Sequence, residues 1–172
     1  MADIRKTLLN TVAVIVAFVL MAAAAPLLSG QTAHAEDGEE DLLYLQGTAD
    51  YDKAYEVLGS INRERSRRGV SALSMDQTLM DAAMTRAAET VLYFEHARPN
   101  GRTWDSVNEK VSGENLGKGT DSVSRIMKLW MESTGHRENI LRSRFHSVGV
   151  ACFEYDGTTY WEVGRASCRE RV

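Results

Sequence analysis

The most restrictive feature of this 172-residue chain is a β-hairpin signal near its carboxyl end. Asp156 and Gly157 join two runs, residues 147–154 and 158–163, that are rich in valine, aromatic residues and threonine. An Asp-Gly pair between two such runs is typical of a tight two-residue hairpin loop. The carboxyl-terminal part of the domain is therefore predicted to form antiparallel strands.

Upstream of the hairpin, apolar residues recur at intervals of three and four, as they do in amphipathic helices. This spacing predicts helices over residues 54–68, from a cap at Asp76 to about Tyr93, and from Asp121 to a stop at residues 133–135. A short helical or turn-rich piece is expected at 138–141. Helices that flank an antiparallel sheet make an α+β domain.

Residues 1–35 are typical of a signal peptide. Two basic residues precede an apolar run over 12–25, and an Ala-x-Ala site at 33–35 predicts cleavage before Glu36. The protein is then secreted, with no stable membrane insertion. The alternative is a retained anchor at the cell surface, because residues 8–28 approach the roughly 20 residues that cross a bilayer.

Residues 36–50 are predicted to be an acidic, disordered spacer, because 36–41 contains five acids and no apolar residue. The formal net charge of the chain is −4, and this acidic run leaves residues 42–172 formally neutral. A neutral domain does not attract nucleic acid or an anionic membrane, so neither partner is expected. The domain itself is assigned to residues 51–163, a length that suits one core.

Three stretches combine residue types that bind metals or transfer protons. They are FEHARPNG at residues 94–101, GENL at 113–116 and WMESTGHRENIL at 130–141. Two histidines, His96 and His136, and the carboxylate Glu114 could ligate a divalent metal or act as acid and base. Each residue also has a structural alternative: His96 as a cation at a helix end, Glu114 as a solvated loop carboxylate and His136 as a helix cap.

In their residue types and in their order along the chain, these stretches resemble the motifs of the CAP superfamily. This superfamily groups cysteine-rich secretory proteins, antigen 5 and pathogenesis-related proteins with bacterial SCP-like extracellular domains. The resemblance spans residues 54–163. It implies an α-β-α sandwich, in which a central antiparallel sheet lies between helical layers. It also implies that His96, Glu114 and His136 share one solvent-facing cleft and hold Zn²⁺ or another divalent metal.

The family commonly has a fourth acidic residue near the end of the helix that carries Trp130. By this resemblance Glu132 is the candidate for a fourth metal ligand, whereas Ser133 occupies the aligned position, as serine does in many bacterial members. Asn62 matches a family asparagine and is expected to be a hydrogen-bonding strut.

Family members have been proposed as proteases, metal binders and sterol or lipid carriers, so the resemblance leaves three functions open. The first is an extracellular module whose cleft binds a metal and a peptide, glycan or lipid ligand. The second is a metal-assisted hydrolase with Glu114 as its catalytic general base, and the third is an envelope structural protein with an inert cleft. The first is favoured, because the sequence offers neither a nucleophile paired to a histidine nor an evident third strong metal ligand.

Residues 164–172 (GRASCRERV) depart from the family's pattern, which continues the last strand with a polar and an aromatic residue. Little apolar surface is available there to offset the entropy of ordering, so we expect this tail to be dispensable and foreign to the family. The departure weakens the case for a disulfide bond between Cys152 and Cys168. With two cysteines in the chain, the core must be held mainly by packing.

Overall fold

The computed structural model describes residues 11–18 and 41–167 of the chain. In chain order, the strands and helices are β1 (Thr11–Phe18), β2 (Asp41–Ala49), α1 (Tyr51–Ser66), β3 (Ser74–Met75), α2 (Gln77–Leu92), β4 (Gly113–Lys118), α3 (Val123–Glu132), α4 (Thr134–Leu141), β5 (Phe145–Tyr155) and β6 (Thr158–Ser167), with a 3-10 turn at Trp104–Val107 before β4. The three helices expected from apolar spacing are α1, α2 and α3. The expected piece at 138–141 is the second half of α4.

The hairpin forms as the Asp-Gly pair predicts. Asp156 and Gly157, which join β5 to β6, have φ angles of 47° and 68°, a left-handed conformation that glycine, asparagine and aspartate adopt at least cost. The sheet has the strand order β1-β2-β5-β6-β4, and all these neighbours pair antiparallel. Short β3 pairs parallel with β5. The hairpin thus lies in the middle of the sheet.

Helices cover both faces of this sheet. α1, α3 and α4 pack on one face through a shared cluster that includes Ile61 and Trp130. α2 packs on the other face through an alanine-rich cluster that includes Ala87. The approach of α2 is close, since a Cβ atom at Gly149 of β5 would lie 2.0 Å from the backbone of Leu79. The predicted α+β fold, an α-β-α sandwich around an antiparallel sheet, is confirmed.

Polar side chains fix the ends and loops of the helices. The carboxylate of Asp76 accepts a hydrogen bond from the backbone N–H of Leu79 at 3.0 Å and caps α2, as predicted. Ser122, the residue after the expected start at Asp121, caps α3. Asn62 donates to the carbonyl of Leu73 at 3.0 Å and accepts from its N–H at 2.8 Å, as expected for a strut.

The amino-terminal boundary of the domain lies earlier than expected. β2 occupies Asp41–Ala49, inside the predicted disordered spacer 36–50. The reason lies in the apolar residues at 42–45, which follow the acidic run and supply surface to bury; Leu45 is 4 % exposed.

The apolar run of the predicted signal contributes β1, which pairs with β2. Most of the predicted signal lies outside the described residues, so its cleavage stays a prediction. Within residues 11–18 and 41–167, no helix is long and apolar enough to cross a membrane.

The carboxyl-terminal boundary also differs from the expected one at Val163. β6 continues beyond it, and residues 164–167 pair with β4 and β5. Ladder hydrogen bonds involve the backbone, so a stretch that is poor in apolar side chains can still extend a strand. The rest of the predicted tail, including Cys168, lies outside the described residues. Cys152 has no disulfide partner among the described residues, and burial raises its pKa to about 12.

Candidate functional site

A cleft of about 650 Å³ lies beside β4 and α4. His96 reaches it from the loop after α2, Glu114 from the second position of β4, and His136 from the first turn of α4. The structure therefore brings these three predicted residues to one place. The cleft is lined by His96, Trp104, Ser112, Gly113, Glu114, Ser133, Gly135, His136, Glu138, Asn139 and Arg142.

Glu114 holds the ring of His96. Its Oε2 atom lies 2.6 Å from His96 Nδ1, and its Oε1 atom accepts a hydrogen bond from Nε of Arg86 at 2.8 Å. The Glu114 side chain is 2 % exposed, whereas that of His96 is 58 % exposed. A carboxylate beside Nδ1 stabilises the tautomer that carries its proton there. Nε2 of His96 is then left with a lone pair that can bind a ligand.

A chain of buried charges lies behind Glu114. Arg86 also donates to Glu89 at 2.7 Å, and Glu89 accepts from Nε of Arg98 at 3.0 Å. A further bond, of 3.3 Å, joins Arg86 to the backbone carbonyl of His96. Burial alone lowers the pKa of Arg86, but its hydrogen bonds to Glu114 and Glu89 and the charges of Glu114 and Glu162 outweigh it, so its pKa is raised. The network fixes the loop that carries His96 against α2.

His136 is half-buried, and its ring makes no hydrogen bond to any residue that the structure describes. Burial, followed by the charges of His96 and Arg165, lowers the pKa of His136. Because the ring has no partner, both nitrogens of a neutral His136 are available to a ligand, as far as the described residues show. The amide of Asn139 donates to the backbone carbonyl of Glu114 at 3.1 Å and so connects α4, which carries His136, to β4.

Glu132 does not reach the cleft. Its side chain is 62 % exposed and lies 3.8 Å from Nζ of Lys128 on the solvent side of α3. Two positions along a helix correspond to a rotation of about 200°, so burial of Trp130 turns Glu132 outward. The structure thus removes Glu132 from the expected ligand set, and Ser133 lines the cleft instead.

The metal-ligating side chains of the described residues do not form a complete cage. Within the described part of the chain, no group of three or more histidine, cysteine, aspartate or glutamate side chains is arranged to hold a metal ion. Glu114 lies beside His96, but both of its oxygens already have partners. The cleft offers two imidazoles and one carboxylate that orients the first of them.

Several residues in or behind the cleft were not identified from the sequence. Arg86 and Glu89 carried a usable signal, because both fall on the alanine-rich buried stripe of α2, where charged residues require partners. Trp104, Glu138 and Arg142 carried no such signal. Nothing in their local sequence shows that separate loops and α4 bring them to one cleft.

Comparison with known proteins adds sequence and fold relatives. A model of the cysteine-rich secretory protein family, CAP, matches residues 58–167. The protein YkwD of Bacillus subtilis (strain 168) is 35% identical over 111 residues, which cover 59% of this chain and 43% of YkwD. The chain therefore spans less than half the length of this relative.

Two solved structures share the fold. An extracellular protein containing an SCP domain from Bacillus anthracis has a TM-score of 0.60 at 23% identity, over 74% of this chain and 47% of that one. An outer surface protein from Borrelia burgdorferi also has a TM-score of 0.60, at 15% identity, over 70% and 98% of the two chains. At these identities, the likeness concerns the fold alone.

Proposed function

The chain belongs to the cysteine-rich secretory protein family, CAP, and we propose that it is an exported binding module whose cleft holds a divalent metal ion, zinc, between His96 and His136. The observation that carries this proposal is the 2.6 Å contact between His96 Nδ1 and Glu114, backed by Arg86. That contact leaves Nε2 of His96 available in the same cleft as His136.

The donor set suits a zinc ion with two protein ligands. Neutral imidazole is a preferred zinc ligand, and water can complete an open coordination sphere. No third protein ligand is at hand in the described residues, so we expect weaker binding than in a structural site with four protein ligands. When bound, zinc would supply a Lewis acid or an attachment point for a ligand's oxygen atoms.

Glu114 has a positioning role in this proposal. Metal-binding histidines commonly donate their second ring N–H to a carboxylate, which fixes the ring and raises its basicity. Arg86 donates to that carboxylate and holds it in place. This role departs from the expectation that Glu114 is itself a ligand.

A binding module is favoured over a metal-assisted hydrolase. A general base must reach the proton that it removes and be free to accept it. The Glu114 side chain is 2 % exposed, and both of its oxygens are engaged by Arg86 and His96. The proposal therefore assigns no catalytic residue.

Export completes the proposed function. The signal-peptide pattern of residues 1–35 supports secretion. The relative from Bacillus anthracis is described as extracellular, and the one from Borrelia burgdorferi as an outer surface protein. Mass spectrometry of culture supernatant should find an amino terminus at Glu36, whereas a chain retained in the membrane fraction with Met1 intact would support the anchor.

Zinc titration by calorimetry tests the metal site. We expect His96→Ala and His136→Ala each to remove most of the affinity, and Glu114→Gln to weaken it about 10- to 100-fold, the usual effect of losing a partner that orients a ligand. His146→Ala is the matched control, because His146 is exposed and lies outside the cleft. Equal zinc binding by the wild type and both cleft variants would refute the shared site. No binding by the wild type would favour an inert cleft.

A further inference from the structure

Two arginines after α4 lack carboxylate partners. The guanidinium carbons of Arg142 and Arg144 lie 5.9 Å and 5.4 Å from the ring centre of Phe145. Both residues are exposed, and neither forms a salt bridge with any residue in 11–18 or 41–167. A guanidinium on an aromatic face keeps most of its N–H donors free for a planar anion.

Arg142 lines the cleft. Buried side chains contact the backbone of the turn that carries it. A Cβ atom at Gly113, another cleft residue, would come within 3.0 Å of Cζ of Phe145, so that ring lies just beneath the surface. The buried guanidinium of Arg65 donates to the backbone carbonyls of Ile140, Arg142 and Phe145 at 2.8, 3.0 and 3.1 Å. Since this backbone is already fixed, a ligand that binds Arg142 has less entropy to overcome.

The cleft also contains uncharged donors without partners. The indole N–H groups of Trp130 and Trp161 each donate to a backbone carbonyl. The N–H of half-buried Trp104 has no such acceptor among the described residues, and the hydroxyl of Ser133 makes no capping bond. Glu138 adds one exposed carboxylate. Among the described residues, the cleft thus offers an indole N–H, a hydroxyl and a guanidinium as donors to an oxygen-rich ligand.

We propose that the cleft binds an acidic saccharide, with Arg142 receiving its carboxylate and Trp104 packing against a sugar ring. The inference rests on the proposed role of the cleft as a ligand site. Arginine pairs with a carboxylate through two parallel hydrogen bonds. Residues 42–172 are formally neutral, so general surface basicity does not account for these unpaired arginines. An acidic peptide would satisfy Arg142 but would not require the ring and N–H of Trp104.

Three trimeric ligands test the chemistry. The ¹⁵N-labelled protein is titrated by NMR, in metal-free buffer containing chelator, with trigalacturonate, its methyl ester and triglutamate. Trigalacturonate should shift cleft resonances and bind at least about tenfold more tightly than either of the others, because each of those lacks the charge or the sugar ring. Equal binding of the ester would overturn the role of the carboxylate, and equal binding of triglutamate would overturn the saccharide assignment. Absence of trigalacturonate binding would overturn the proposal as a whole.

Variants then assign the site. Arg142→Gln should weaken trigalacturonate binding about tenfold, while Arg67→Gln, the same change at an exposed position of α1's carboxyl-terminal cap, should leave it unchanged. Trp104→Phe should keep the stacking and lose the N–H, with a smaller effect. An Arg142→Gln protein that binds as the wild type does would overturn the assignment.

Zinc titration of the same proteins separates this inference from the metal site. Arg142→Gln should retain wild-type zinc affinity, because Arg142 is no ligand of the ion. Loss of saccharide binding with zinc affinity intact supports the inference. Saccharide binding by a protein that does not bind zinc would refute the metal proposal and leave the saccharide proposal standing.

Discussion

Arg86 and Arg165 are both buried in one small domain, on opposite faces of one sheet, and their surroundings differ completely. Arg86 donates to two buried carboxylates, Glu89 and Glu114. Arg165 is 0 % exposed, and its Nε, Nη1 and Nη2 atoms have no hydrogen-bond partner in the described part of the chain. Burial lowers the pKa of Arg165 to about 9, and Glu162 only partly opposes this.

The difference shows which charges the fold accommodates. A buried charge is tolerated when partners replace the water that it loses, and it is costly when they do not. The surroundings of Arg86 meet that condition and also position His96. The surroundings of Arg165 do not, although the family model matches the chain through residue 167, inside the stretch that was expected to be foreign to the family. The backbone there continues the strand, but the side chain does not suit its site.

The largest expected effect comes from removing the partnered arginine. Arg86→Met should cost about 3–5 kcal/mol of unfolding free energy, because it leaves Glu89 and Glu114 buried without their shared cation. Urea denaturation measures the loss. Arg67→Met, which removes an exposed arginine, is the control and should cost no more than about 1 kcal/mol. Similar losses in both variants would show that the buried network contributes nothing special.

A smaller effect of opposite sign is expected at the unpartnered arginine. Arg165→Met should raise the unfolding free energy by about 1–3 kcal/mol, because a buried group without partners is replaced by an apolar one of similar length. The same denaturation experiment applies. A clear loss of stability would show that Arg165 makes stabilising contacts, and its contrast with Arg86 would disappear.

The smallest expected effect is the pH dependence of the stability that Arg165→Met gains over the wild type. The folded-state pKa of Arg165, about 9, lies well below the ordinary value of an arginine, because the side chain is buried. Above about pH 9, the folded protein releases this proton while the unfolded chain keeps it, so wild-type stability rises with pH relative to Arg165→Met. The advantage of the variant should be constant between about pH 6 and 8 and should shrink from about pH 9 to 10.5. A constant difference across that range would contradict the lowered pKa.

Local sequence identified the helices α1 to α3 and the β5–β6 hairpin, but not strands β1 to β4. The Asp156–Gly157 turn, the cap at Asp76 and the apolar stripes of α1 to α3 depend on neighbours within a few positions, so residue order alone identifies them. Boundaries were less predictable. β2 entered the presumed spacer and β6 extended beyond Val163, because pairing with a neighbouring strand depends on chain segments far away in sequence.

For the candidate site, too, the sequence supplied some residues and the tertiary structure supplied the rest. The motifs were enough to nominate His96, Glu114 and His136, since their order matches a family pattern. Only the tertiary structure decided that Glu114 is enclosed by Arg86 and His96, that Glu132 faces solvent, and that Trp104 and Arg142 join the cleft. The physical reason is that burial, hydrogen-bond partners and local charge arise from contacts between distant segments. The sequence states a side chain's chemical type, but the surroundings that set its role come from the fold.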